Sequence, residues 1–289
     1  MTDQAARTPR GTHAADDRTT DHTLLSGLVI VLVIGAGLVL AGRTSAVALL
    51  VGTAAVQALV VVGWVFGAAL PGRNGALVIG AAASAGSDVT VSLWPHSRLG
   101  TLLIIFALAV PLMFVHQLAR GAARVRVVES LSAVALLVAM TSSLTAFLQL
   151  RHEFLPASTG GHVVAGVLEV VCGALIVGYL VDMIMPAPRF DAGIPRGLLA
   201  VVAAAGLGGS VGHLAITDGA DFAGARGTFA GAALGAIVAF FAVAAAFIDA
   251  STPEPAGASG RRTRPLITAL LPLTLSAPVA FLLLLAIRA

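Results

Sequence analysis

Long apolar runs separated by short polar breaks make up almost the whole chain, and nine of the runs are long enough to cross a bilayer as helices. A hydrocarbon core about 30 Å thick takes about 20 helical residues. The runs cover 24–41, 45–70, 76–94, 101–118, 127–150, 163–185, 198–216, 228–248 and 266–287. Between them stand turn formers: Gly42-Arg43-Thr44, Pro71-Gly72-Arg73-Asn74-Gly75, Pro95-His96-Ser97-Arg98 and Pro186-Ala187-Pro188-Arg189. The pattern predicts an all-α, polytopic membrane bundle of about nine transmembrane helices.

The third run is the least apolar, with Ser84, Ser87, Asp88 and Thr90 inside it, and arginine placement decides whether it crosses. With nine spans and a cytoplasmic amino terminus, twelve arginines fall inside: Arg7, Arg10, Arg18, Arg73, Arg120, Arg124, Arg126, Arg189, Arg196, Arg261, Arg262 and Arg264. Five fall outside: Arg43, Arg98, Arg151, Arg226 and Arg288. If the third run did not cross, every later loop would change side and the division would become eight against nine. The inside bias survives only with nine spans, amino terminus in and carboxyl terminus out.

Composition supports the same class. Of 289 residues, 58% are hydrophobic and 11% charged, and mean hydropathy is +0.97. A soluble domain carries about 25% charged residues, so this chain cannot cover a water-facing surface. The single cysteine, Cys172, excludes a disulfide scaffold, and the apolar content excludes disorder. A pI near 10.3 arises because all seventeen basic residues are arginine. With a net charge of only +3 it does not indicate nucleic acid. Arginine in place of lysine, with abundant Ala, Gly and Val, fits a GC-rich genome and a bacterial plasma (inner) membrane.

Residues 1–22 have no apolar stripe and are expected to form a disordered cytoplasmic tail. Residues 23–289 then form one membrane domain, with the first span a retained anchor. Residues 249–265 read as a flexible cytoplasmic linker ending in arginines. Arg261, Arg262 and Arg264, with Arg120, Arg124 and Arg126, are candidates for contact with anionic lipid headgroups, or else serve only to fix topology. Spans two to five and six to nine share parity, and 80–88 resembles 206–213, so a four-plus-four repeat is one expectation.

Polar groups inside the spans narrow the candidates, because an ionisable side chain in hydrocarbon costs several kcal/mol unless it faces protein or water. Asp88 lies about two turns from the outer end of the third span, with Ser84 one turn away. Glu169 lies in the sixth span, and His162, seven residues earlier, falls on nearly the same face. His213 sits near the outer end of the seventh span, beside Ser210. Outer segments add His96, Arg98, Arg151, His152, Glu153, Asp218, Asp221 and Arg226. The expectation is a polar cleft open to the outer face, walled by spans three, six and seven.

Three chemistries fit such a cleft. Asp88, Glu169, His162 and His213 could couple transport to an ion. His152, His162, Glu169 and His213 could ligate a divalent transition metal, although no two histidines have helical ligand spacing. Packing alone also accounts for them if the carboxylates pair with Arg98 or Arg151 and the histidines anchor at the headgroups. On the inner side Glu129 is close to Arg126, His116 to Arg120, and Asp182 to Arg189. No phosphate-binding loop, nucleophile elbow or zinc-protease signature occurs.

The expected function is therefore a transporter or permease-like carrier. One alternative is an envelope-assembly enzyme acting on a lipid-linked substrate, with Asp88 or Glu169 as base and Arg98 or Arg151 holding phosphate. The other is a non-catalytic scaffold or subunit of a membrane complex. Small residues add a packing expectation: Gly206, Gly208, Gly209 and Gly212 in span seven should meet Gly227, Gly231 and Gly235 in span eight. Pro111, Pro272 and Pro278 should bend their spans.

Overall fold

In a bilayer every backbone amide must find its partner inside the protein, and a helix does this within one segment. The computed structural model shows the result. It describes residues 12–94, 100, 102–121, 126–154, 157–185, 187–191, 193–215, 224–252 and 257–288, with side chains from 22 onward except those of 157 and 158. Among these residues the chain forms α1 (Thr12–Thr44), α2 (Ala46–Gly67), α3 (Arg73–Leu93), α4 (Leu102–Ala119) and α5 (Val127–Glu153). It continues through α6 (Ala157–Ile184), α7 (Leu198–Ala215), α8 (Ala225–Ser251) and α9 (Ala258–Arg288). All nine are long and apolar enough to span a membrane.

Three boundaries differ from the sequence reading. Helix α1 starts at Thr12, so half of the expected tail is helical; adding residues to an existing helix costs far less than nucleating one. Helix α9 starts at Ala258 and carries Pro265 inside it, which shortens the expected 249–265 linker to a few residues after Ser251. The α1–α2 turn is tighter than Gly42-Arg43-Thr44 implies. Ser45 alone separates the helices, and its hydroxyl caps α2 by accepting from Ala48 N at 3.0 Å.

Glycine sets the closest helix contacts. A Cβ on Gly208, Gly212, Gly231 or Gly235 would run into backbone of the opposing helix, so α7 and α8 meet along their glycine ridges as the sequence implies. Gly206 faces open space and takes no part. A second seam has no such ridge in the sequence: Gly27, Gly35 and Gly42 of α1 lie against Tyr179, Cys172 and Ala165 of α6, antiparallel and about two turns apart. Helix α6 is the most enclosed of the nine. Helix α4 lies at the rim and turns Leu103, Leu108 and Val115 outward, each more than half exposed. That face suits lipid and would not suit water.

Helix α3 packs chiefly on α5, α2 and α4, whereas α7 packs on α8 and α6. A four-plus-four repeat would have α7 meet α9 as α3 meets α5, and the main contacts do not follow that pattern. The alternating helices give the bundle two ends. One, here the carboxyl end, holds the α1–α2 and α5–α6 connections and the end of α9. The other, the amino end, holds the α2–α3, α4–α5, α6–α7 and α8–α9 connections.

Candidate functional site

Most hydroxyls in the spans are satisfied by their own helix. Ser84 Oγ donates to Gly80 O at 2.8 Å, Ser87 Oγ to Ser84 O at 2.9 Å and Thr90 Oγ1 to Gly86 O at 2.7 Å. Thr141, Thr145, Thr274 and Ser276 do the same on α5 and α9. These residues make the helices locally polar without creating a site.

Asp88 is different. It is 8% exposed, and a carboxylate has no donor of its own with which to bond back to the helix. Its Oδ1 accepts from Gln57 Nε2 at 3.0 Å, and the same nitrogen donates to Thr141 O at 3.0 Å. One amide thus ties α2, α3 and α5 together. Gln57 is the twelfth of 22 residues in α2, and Thr141 the fifteenth of 27 in α5. The carboxylate therefore lies level with the middle of two spans, deeper than its distance from the end of α3 implies. No basic side chain pairs with it among the described residues. Three buried oxygens on the adjoining helices also have no hydrogen-bond partner: Thr53 Oγ1 and Gln57 Oε1 on α2, and Ser142 Oγ on α5.

Glu169 belongs to a separate cluster at the carboxyl end. Arg43, at the end of α1, donates to its Oε1. Arg151, at the end of α5, donates to Gly42 O, and its guanidinium lies against Gly161, which has no side chain to obstruct it. Arg288 lies over the Phe154 ring, 5.1 Å from its centre. Among the described residues, Glu169 takes Arg43 and not the expected Arg151, and Asp88 takes an amide; the expected pairing with Arg98 lies outside the described residues. The structure does bring Arg151, Gly161-His162 and Glu169 into one patch around Gly42-Arg43. His213 is elsewhere, with Nδ1 3.3 Å from the Thr228 hydroxyl across the α7–α8 seam.

No hydrogen bond or ion pair joins Asp88 to Glu169, His162 or His213, and the main neighbours of α3 are not those of α7. Two small pockets lie elsewhere. One is bounded by Gly178, Asp182, Arg196 and Ala239, the other by Trp64, Met140 and Leu270. Each has room for about one water molecule. His96, Arg98, Asp218 and Asp221 lie outside the described residues.

At the amino end, Arg189 lies within electrostatic reach of Asp182 as expected, and Arg196 adds a buried ion pair. Arg196 NH1 donates to Asp182 Oδ2 at 3.0 Å, with the side chains 5% and 1% exposed. Gly197 N donates to Asp182 Oδ1 at 2.8 Å, and the Arg196 guanidinium lies 4.0 Å from the centre of the Tyr179 ring. The α6–α7 connection positions it by folding back on itself, with Phe190 N donating to Arg196 O and Leu198 N to Pro188 O.

The arginines at the amino end are partly committed. Arg126 pairs with Glu129 as expected, and that hydrogen bond raises the Arg126 pKa further. Arg264 donates to Asp249 Oδ1 at 2.6 Å, Arg120 donates to Gln117, and Arg261 and Arg262 are exposed. Arg124 lies outside the described residues. Among the described residues no three His, Cys, Asp or Glu side chains come together as metal ligands, so His152, His162, Glu169 and His213 are not assembled into a metal centre.

Gln57, Arg43, Arg196 and Tyr179 escape a reading of the sequence. Each meets its partner on another element, at a separation where spacing carries no signal. No protein family model matches the chain, and neither a curated protein nor a solved structure is similar to it.

Proposed function

We propose that this membrane protein is a carrier in which Asp88 is the residue that binds the coupling ion or a cationic part of the substrate. One observation supports the reading above the others: a carboxylate at the middle depth of the bundle, buried, with a neutral amide in place of a counter-ion. An isolated charge in such surroundings costs several kcal/mol. A purely structural role would be filled better by a neutral residue, since packed apolar groups are as stable as buried charges or more so. A carboxylate there is useful when a positive charge comes and goes. Of the other buried or half-buried carboxylates among the described residues, Glu169, Asp182 and Asp249 already have arginines. The arginine distribution favours an amino terminus in the cytoplasm of a bacterial inner membrane, with the Glu169 cluster facing out.

An exchange experiment tests this without naming a substrate in advance. Purified full-length protein is reconstituted into vesicles loaded with an unlabelled extract of cellular metabolites and placed in an isotopically labelled one. Mass spectrometry of the vesicle contents should show at least one labelled solute exchanged in over protein-free vesicles. Contents indistinguishable from the protein-free control would overturn the carrier reading.

A further inference from the structure

We infer that Asp88, Gln57 and Thr53 form a binding site for a monovalent alkali cation of sodium size. The inference rests on the carrier reading of Asp88 and names its ion. Gln57 spends both described amide bonds on Asp88 Oδ1 and Thr141 O, which fixes the orientation of the carboxamide. Its Oε1 is consequently left as a buried oxygen without a donor. Thr53 is one turn earlier on the same face of α2, and helical side chains lean toward the preceding turn, so Gln57 lies over Thr53.

Thr53 is also the exception among the threonines of α2, α3, α5 and α9. Thr90, Thr141, Thr145 and Thr274 bond back to carbonyls of their own helices, whereas Thr53 Oγ1 has no partner while only 1% exposed. Asp88 Oδ2 accepts no hydrogen bond from a described residue.

The charge and the lone pairs decide what fits. A proton would neutralise Asp88, but its single O–H could serve at most one of the Gln57 and Thr53 oxygens, and an oxygen left over costs about 1–3 kcal/mol. A water molecule would serve those oxygens but leave the carboxylate uncompensated. A cation satisfies all three groups together. Every donor is a hard oxygen, and these suit alkali and alkaline-earth ions over transition metals. One carboxylate balances a single positive charge, whereas calcium sites draw on several acidic ligands.

The test is binding of radioactive sodium to purified full-length protein in detergent. The wild type should bind saturably, with lithium competing and a bulky organic cation such as N-methylglucamine not competing. Asp88→Asn and Thr53→Val should each weaken binding roughly tenfold or more, about 1.4 kcal/mol, while Thr53→Ser keeps the hydroxyl and the affinity. No saturable sodium binding by the wild type would overturn the inference, and so would binding unaltered in both Asp88→Asn and Thr53→Val. Sodium binding without solute exchange in vesicles would retain the site and remove the carrier. Solute exchange that depends on Asp88 without sodium binding would do the reverse.

Discussion

A charge sealed among apolar helices is held by its partner, and the bundle contains both the satisfied and the unsatisfied case. Asp182 and Arg196 are the satisfied case. Arg196→Met removes one side of a buried pair and strands the other, so stability should fall by about 3–5 kcal/mol. Replacing both by apolar residues, Asp182→Leu with Arg196→Met, should recover most of that loss. Thermal unfolding in detergent followed by tryptophan fluorescence reads both, and a loss below about 1 kcal/mol for the single variant would contradict the buried pair. Glu169→Gln should act differently, because Arg43 is more than half exposed and such pairs contribute about 0–1 kcal/mol. A change beyond about 2 kcal/mol would show that the Arg43–Glu169 contact carries more of the fold than its exposure allows.

The residues that define the site are legible in the sequence to different degrees, for a physical reason. Asp88 stands out in any reading, since a carboxylate in an apolar run violates the solvent preference of its segment. Gln57 and Thr53 do not stand out, because neutral polar groups at single positions are common in spans and most satisfy themselves locally. Only the hydrogen-bond geometry separates Thr53, which has no such bond, from Thr141, which has two carbonyls within reach. Grouping Asp88 with Glu169 and His213 by expected depth fails because depth along the membrane normal says nothing about which helices are neighbours.

Among the helices, the chain's pattern specifies spans and turns well and lateral packing unevenly. The α7–α8 seam is readable because three glycines at four-residue spacing form a smooth ridge. The α1–α6 seam is not, since Gly27, Gly35 and Gly42 are separated by two turns and lost among other small residues. Gly231→Leu should cost about 3 kcal/mol by pushing backbones apart, while Gly206→Leu, on open space, should cost little. Equal stability of the two variants would contradict the glycine contact. The starts of α1 and α9 extend beyond the apolar runs into polar sequence, because a helix propagates cheaply until turn chemistry stops it.

The whole molecule has two chemically distinct ends and a buried anionic centre between α2, α3 and α5. Its orientation can be read with single cysteines, because the native Cys172 is buried and should contribute little background. Thr44 and Ser259 are exposed positions at opposite ends. Thr44→Cys should react with a membrane-impermeant maleimide on intact cells stripped of their outer barrier, and Ser259→Cys only after the inner membrane is opened. The reverse pattern would invert the proposed orientation. Gly160 is unsuitable as a probe, since a side chain there would strike Arg151 and Phe154 carbonyls.

The central claim is that Asp88 is present for what it binds and not for what it holds together. The most direct measurement is solute exchange by Asp88→Asn in vesicles, at a protein density matched to the wild type and with thermal unfolding recorded on the same preparation. The asparagine keeps the size and can still accept from Gln57, so the variant should fold with unaltered or higher stability and exchange nothing above protein-free vesicles. Full exchange by a well-folded Asp88→Asn protein would contradict the claim.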